Sequence, residues 1–246
     1  MNTDNMSIAG ETIDYGPCAF MDEYNPGKVF SSIDRQGRYA YGKQPQIAIW
    51  NLSRFAETLL PLINDDQPQA VQRAEDVLNG FPARFDATYC TGMRQKLGLA
   101  TVEDDDQLLV DEFLTLLAAD GADFTLAFRR LSDAAGEGAS EHPVRSLFRD
   151  QRVFEAWAAR WRQRLAREPE GAESHRARMR AVNPAFIPRN HRIEEVIEAA
   201  VVAADFTLFE ALLSILAKPF EDQPTFAHYM DPPQVHERVC QTFCGT

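Results

Sequence analysis

The chain has 246 residues, of which 45% are hydrophobic and 25% are charged, and it carries a formal charge of −12 at pH 7. This composition is typical of a globular protein of one or two domains, and it excludes collagen-like, low-complexity and wholly disordered chains. The acidic balance opposes general nucleic-acid binding, which needs a net basic face for the phosphates. With no apolar run of about 18 residues we expect no membrane contact through a spanning helix. Four cysteines and no pattern of a secretory signal predict a cytoplasmic protein.

The first 42 residues are rich in Gly, Pro, Asp, Asn and Tyr and show no helical period. Short apolar or β-branched pieces lie on either side of Ala9, Gly10 and Glu11, which predicts a tight β-hairpin. Its two ends would be residues 4–5 and residue 14. Residues 17–41 then predict an extended loop, because Pro-Gly and Gln-Gly pairs interrupt them.

From residue 44 onward the apolar residues recur with a period near 3.6, which predicts amphipathic helices. Three aspartates at 104–106 are expected to cap one helix, and Gly121 to end it. The fold class is therefore mainly α, with a helical body at 43–246 behind a hairpin and loop at 1–42. Further helices are predicted at 69–78, 83–97, 105–119, 123–131, 151–167, 173–182, 192–203 and 206–216.

Arginine is concentrated in the second half of the chain, with twelve of the 21 arginines between Arg145 and Arg192. A block of like charge predicts either a solvated helix face or a patch that receives an anionic group. Trp50, Trp157 and Trp161 lie within helical patterns and are expected to be core or helix-packing residues.

A group of oxygen-bearing side chains near the start of the chain is the strongest chemical signal. If the hairpin forms, its ends bring Asp4, Asn5 and Asp14 together. Two carboxylates and an amide carbonyl are hard ligands that suit Mg²⁺ or Mn²⁺. The glycine at position 16 lets the backbone turn away from such a ligand. The alternative is a polar turn in which these side chains only cap backbone groups.

Several long blocks of the sequence resemble the selenoprotein O (SelO) family. The blocks are MNTDNMSIAGETIDYGPCAFMDEYNPG, RQGRYAYGKQPQIAIWNLSRFAETL, NPAFIPRNHRIEEVIEAA and the closing TFCGT. The resemblance implies a protein-kinase-like (pseudokinase) fold, of which this chain would be the C-terminal lobe. It also implies a Mg²⁺-dependent protein adenylyltransferase that moves AMP from ATP to the Ser, Thr or Tyr hydroxyls of proteins.

The resemblance further implies roles for individual residues. Asp4 lies where the family's proposed proton acceptor lies, and Asn5 and Asp14 lie at the two metal-ligand positions. Cys244 matches a cysteine or selenocysteine near the family's C-terminus, which implies a redox role. A free surface thiol is the alternative for Cys244, and the sequence does not show whether Cys18 pairs with it.

The glycine-rich and lysine-bearing motifs that hold a nucleotide are absent from the sequence. We therefore expect the N-terminal nucleotide-binding lobe to be missing, as in a fragment or a split gene whose other product is a partner. The sequence leaves two candidate functions. One is the adenylyltransferase, with ATP and protein acceptors as its partners. The other is a non-catalytic helical binding or regulatory module derived from the same lobe.

Overall fold

The computed structural model describes residues 3–10, 20–136, 138 and 140–242, and within these residues it is mainly helical. The one β pairing among them is an isolated antiparallel bridge between Glu23 and Asp123. The prediction of a mainly α fold is confirmed; the kinase-like architecture stays a prediction. The helices are α1 (Gln44–Ile63), α2 (Gln67–Asn79), α3 (Phe81–Lys96), α4 (Asp106–Asp120), α5 (Phe124–Ala134), α6 (His142–Arg145), α7 (Gln151–Leu165), α8 (Ala172–Val182), α9 (Asn190–Ala203) and α10 (Thr207–Leu216).

Helix ends follow local chemistry. Gly121 ends α4 in the left-handed conformation, with φ of 61°, as predicted. The side chain of Asp123 caps α5 by accepting a hydrogen bond from the Leu126 amide at 2.7 Å. Ala204 also has a positive φ, 51°, and ends α9 without a glycine. None of these helices in the described ranges is long and apolar enough to cross a membrane.

The chain folds into two compact units. The first holds the described residues 3–10, 26–91 and 242, and the second holds residues 20–25 and 92–241 apart from the undescribed positions. The predicted division into residues 1–42 and 43–246 stays a prediction.

In the first unit, α1 packs against α2 across the short connection at residues 64–66. Asp66 caps α2 by accepting from the Gln69 amide, and a proline stands in the first turn of each helix. Ile47, Ala70 and Ala74 are buried. Trp50 was predicted to be a core or helix-packing residue, and with its side chain 41% exposed it does not belong to the buried core.

In the second unit, α4 packs on α7 around a set of buried aromatic rings. Phe113 stacks on Trp157 with 4.4 Å between ring centroids, and Trp157 stacks on Trp161 at 6.0 Å. Each indole N–H donates to a backbone carbonyl, of Leu109 and Leu97 respectively, so that neither is buried unpaired. The predicted core role of these two tryptophans is confirmed.

Many arginines of the second half of the chain are exposed to solvent. Most of them pair with Asp or Glu side chains of the same unit. Pairs that lie at the surface each contribute only about 0–1 kcal/mol. They include Arg145–Glu155, Arg160–Glu112, Arg162–Glu141, Arg167–Glu103, Arg178–Glu170, Arg180–Asp133 and Arg192–Glu195.

One of the aspartates at 104–106 forms a buried ion pair with an arginine. Asp106 is 2% exposed and accepts a hydrogen bond from Arg164 Nε at 2.6 Å. Asp105, at the N-cap position of α4, makes no capping hydrogen bond with its side chain, so the prediction of a simple cap was wrong. Arg164 also donates to Glu168 Oε1 at 2.7 Å, and both partners of this contact are buried.

Glu168 depends on this network for its charge. Burial raises the pKa of its carboxyl, but hydrogen bonds from Thr101, Arg164 and two backbone amides outweigh burial and lower the pKa to about 2. The ordinary value is 4.5. A carboxyl whose pKa is lower in the folded state stabilises the fold above its ordinary pKa. That stability is lost as the pH falls from 4.5 toward 2.

We predict that Glu168→Gln lowers the free energy of unfolding at pH 7 by about 1–3 kcal/mol, because it removes a charged acceptor from buried Arg164. Urea unfolding at pH 7, 4 and 3 measures this. The difference between the variant and the parent chain should shrink as the pH falls. Glu170→Gln, which alters a surface pair with Arg178, is the matched control and should show little change at any of these pH values. A constant difference at all three would contradict the role assigned to Glu168.

Candidate functional site

The predicted catalytic base and one predicted metal ligand lie in the first described turn of the chain. Thr3–Asn5 forms a 3₁₀ turn, and both Asp4 and Asn5 are exposed to solvent. The residue that follows ties this turn to α1, because Met6 Sδ accepts a hydrogen bond from the buried Asn51 side chain at 2.7 Å. The two oxygen-bearing side chains are thus held at the surface of the first unit.

A second turn follows immediately. The Gly10 amide donates to the Ser7 carbonyl at 3.2 Å, and Gly10 has φ of 73°, a conformation that favours glycine. This turn lies where the hairpin turn was predicted, but residues 6–8 form no strand. The second arm of the predicted hairpin and Asp14 lie outside the described residues.

The donor chemistry of this turn fits a hard divalent cation. Asp4 and Asn5 offer a carboxylate and an amide carbonyl, which are ligands that Mg²⁺ and Mn²⁺ accept. Within the described ranges no group of three or more His, Cys, Asp or Glu side chains could hold a metal ion. A complete ligand set would therefore need Asp14, and its convergence with Asp4 and Asn5 stays a prediction.

The segment that follows the predicted metal loop is anchored in the second unit. The Tyr24 amide donates to the Ala122 carbonyl at 2.9 Å, and the Phe124 amide donates to the Asp22 carbonyl at 2.8 Å. The rings of Tyr24 and Phe124 stack with 5.6 Å between centroids. Residues 20–25 are therefore bound to the start of α5 through both backbone and side chains.

Arg189 completes this anchor. Its guanidinium is 1% exposed and donates to Asp123 at 2.7 and 3.2 Å, to the Asp22 carboxylate, and to the Met230 carbonyl at 2.8 Å. Burial lowers the pKa of Arg189, but the hydrogen bonds and charges of Asp123 and Asp22 outweigh burial and raise it. The arginine is thus charged and joins three separate parts of the chain.

We predict that Arg189→Met lowers the free energy of unfolding by about 3–5 kcal/mol, because it leaves Asp123 as an uncompensated buried charge. Hydrogen exchange at the Tyr24 and Phe124 amides should accelerate more than exchange in α7. Urea unfolding and amide exchange measure the two effects.

The matched control is Arg167→Met, which removes an arginine whose ion pair with Glu103 lies at the surface. We expect a much smaller loss for it, because solvent screens an exposed ion pair. Equal losses for the two variants would show that Arg189 is not a special anchor.

A cavity that the sequence did not predict lies beside the first turn. Its volume is about 480 Å³, and we call it the α1 cavity. The residues that line it come from the first two turns and from one face of α1. They are Thr3, Met6, Ser7, Ile8, Trp50, Asn51, Leu52, Arg54, Phe55 and Thr58.

Two arginines stack on the tryptophan of this cavity. The guanidinium carbon of Arg38 lies 4.7 Å from the centroid of the Trp50 ring, and that of Arg54 lies 5.6 Å from it. Such cation–π contacts hold the charged groups against the ring while leaving them hydrated. The sequence feature that could have indicated this site is the excess of basic over acidic residues at 28–54, the range that contains the exposed tryptophan.

The described cysteines do not test the redox prediction. Cys90 and Cys240 are free thiols, and Cys240 is exposed. Cys18 and Cys244 lie outside the described residues, so the redox role of Cys244 stays a prediction.

Comparison with known proteins gives concordant matches. The family model described as Protein adenylyltransferase SelO matches residues 1–217. A protein nucleotidyltransferase YdiU of Rhizobium etli (strain CFN 42) is 60% identical over 246 residues, which is all of this chain and 49% of that protein. The YdiU proteins of Bradyrhizobium diazoefficiens and Bradyrhizobium sp. (strain ORS 278) are 57% and 60% identical over the same span, which is 50% of each. The chain spans about half the length of the curated relatives it matches.

Proposed function

Because this chain belongs to the SelO family of protein adenylyltransferases, we propose that it carries the acceptor and metal side of an AMP-transfer site. The reaction moves AMP from ATP to a Ser, Thr or Tyr hydroxyl of another protein. The observation that carries this proposal is the match over the whole chain to proteins named protein nucleotidyltransferase, at about 60% identity.

In this proposal Asp4 is the general base. It takes the proton of the acceptor hydroxyl as that oxygen attacks the α-phosphorus of ATP, and pyrophosphate leaves. The exposure of Asp4 supports this role, because a base that serves a protein acceptor must be reachable from solvent. The hydrogen bond between Asn51 and Met6 would hold the turn of Asp4 in place.

Asn5 and Asp14 would hold a Mg²⁺ or Mn²⁺ ion. When bound, such an ion neutralises phosphate charge and orients the triphosphate. Asn5 is a neutral ligand beside Asp4, so the pair offers one negative charge rather than two at this turn. Cys244 is proposed to regulate the site through its redox state.

The chain covers about half the length of these relatives, and this favours a second function. In that case the chain is a helical binding or regulatory module without chemistry of its own. Nucleotide binding separates the two, because only the transferase needs ATP and a divalent ion.

We predict that a full-length SelO enzyme that carries this chain as its C-terminal half, given labelled ATP, Mg²⁺ and casein as a generic hydroxyl-bearing protein, transfers label, and that Asp4→Asn reduces the rate by about 10²–10⁴-fold. Asp14→Ala should reduce transfer at least as far and should also weaken Mn²⁺ binding measured by calorimetry, because it removes a charged ligand. Autoradiography after electrophoresis measures transfer.

The matched control is Asp65→Ala, which removes an exposed carboxylate of the connection between α1 and α2. It should leave transfer unchanged. Retained transfer in Asp14→Ala would remove the metal assignment. No binding of ATP at millimolar concentration would favour the regulatory module.

A further inference from the structure

The α1 cavity has two kinds of wall. One is apolar and is formed by Met6, Ile8, Leu52 and Phe55. A cavity of about 480 Å³ with such a wall has room for a large apolar side chain.

The polar wall carries an incomplete hydrogen-bond group. Asn51 is 5% exposed, and its Oδ1 has no hydrogen-bond partner in the described part of the chain. A buried acceptor without a donor destabilises the fold. A small shift of the Asn51 side chain toward the cavity would let a backbone N–H of an incoming segment supply the missing donor.

Two arginines, Arg38 and Arg54, lie against the tryptophan that lines the cavity. Residues 26–54 carry five basic side chains and one acidic side chain, whereas the whole chain carries −12. Arg54 pairs at the surface with Glu57, but Arg38 forms no ion pair among the described residues. The guanidinium of Arg38 is exposed and held on Trp50, which makes it ready to receive a carboxylate.

Position links this cavity to the proposed chemistry. Thr3 lines the cavity, and the proposed base Asp4 is the next residue. A segment seated in the cavity would therefore present a neighbouring side chain to Asp4.

We infer that the α1 cavity is the docking site for the acceptor protein, and that it selects a hydroxyl residue with an apolar and an acidic neighbour. The inference rests on the proposed function. The apolar side chain enters the cavity against Phe55 and Leu52, the acidic side chain meets Arg38, and the hydroxyl lies at Asp4. Charge complementarity with Arg38 gives the preference for acidic over basic segments.

The test measures binding without ATP, so that it does not depend on catalysis. The probe is a nine-residue peptide with a central serine, glutamates on its amino side and a phenylalanine on its carboxyl side. Isothermal titration calorimetry with the full chain gives the dissociation constant. A peptide with lysines in place of the glutamates and one with alanine in place of the phenylalanine should each bind at least about tenfold more weakly.

Charge reversal then locates the site. Arg38→Glu should weaken binding of the glutamate peptide at least about tenfold and strengthen binding of the lysine peptide. Arg35→Glu is the matched control, because Arg35 is exposed in the same loop, and no contact between it and Trp50 is found in the described residues. It should change binding by less than about twofold, since its charge is screened.

Three results of the peptide titrations would overturn the inference: no binding of the glutamate peptide, equal binding of all three peptides, or equal weakening by Arg35→Glu and Arg38→Glu. Loss of ATP binding in Arg38→Glu without any effect on the peptide would also overturn it, since Arg38 would then serve the nucleotide. Peptide binding without AMP transfer would contradict the proposed function while leaving the docking site in place.

Discussion

A buried guanidinium is the constraint on which the second unit depends. Moving an arginine side chain out of water costs free energy unless partners in good geometry compensate its charge. The two terminal nitrogens of Arg189 donate to two carboxylates and a carbonyl, contributed by the segment before α1, the start of α5 and the region after α10, whereas its Nε has no hydrogen-bond partner in the described residues. The anchor therefore fixes residues 20–25, which connect the proposed metal loop to the rest of the chain.

Arginine chemistry differs between the parts of the molecule. In the second unit Arg164 and Arg189 are buried and paired with carboxylates, so they act as structural cross-links. In the first unit Arg38 and Arg54 stand at the surface on Trp50. The same type of side chain thus forms buried ion pairs in one unit and exposed cation–π contacts in the other, and burial separates the two roles.

The sequence was sufficient for the helices, because the apolar period of 3.6 and the stop at Gly121 are local signals. It was insufficient where contacts between residues far apart in the chain determine the role of a side chain. The aspartates at 104–106 were interpreted as a cap, yet Asp106 serves Arg164, which is far away along the chain. For Trp50 the pattern left core and helix-packing roles open, because periodicity does not show which face of α1 is covered. For the site, residue types and a family resemblance pointed to Asp4 and Asn5, whereas the α1 cavity depends on how two turns meet a helix.

The end of α9 shows that an unfavourable backbone conformation can persist at a small cost in stability. Ala204 adopts a left-handed φ of 51°, which costs an alanine about 1–2 kcal/mol relative to a right-handed conformation. A glycine would avoid that strain, but it would also give the unfolded chain more freedom, a loss of about 0.4–1 kcal/mol. The strain is the larger of the two effects, so alanine leaves a net cost of roughly 1 kcal/mol at this position. The joint between α9 and α10 is therefore a place where the fold tolerates a small loss of stability.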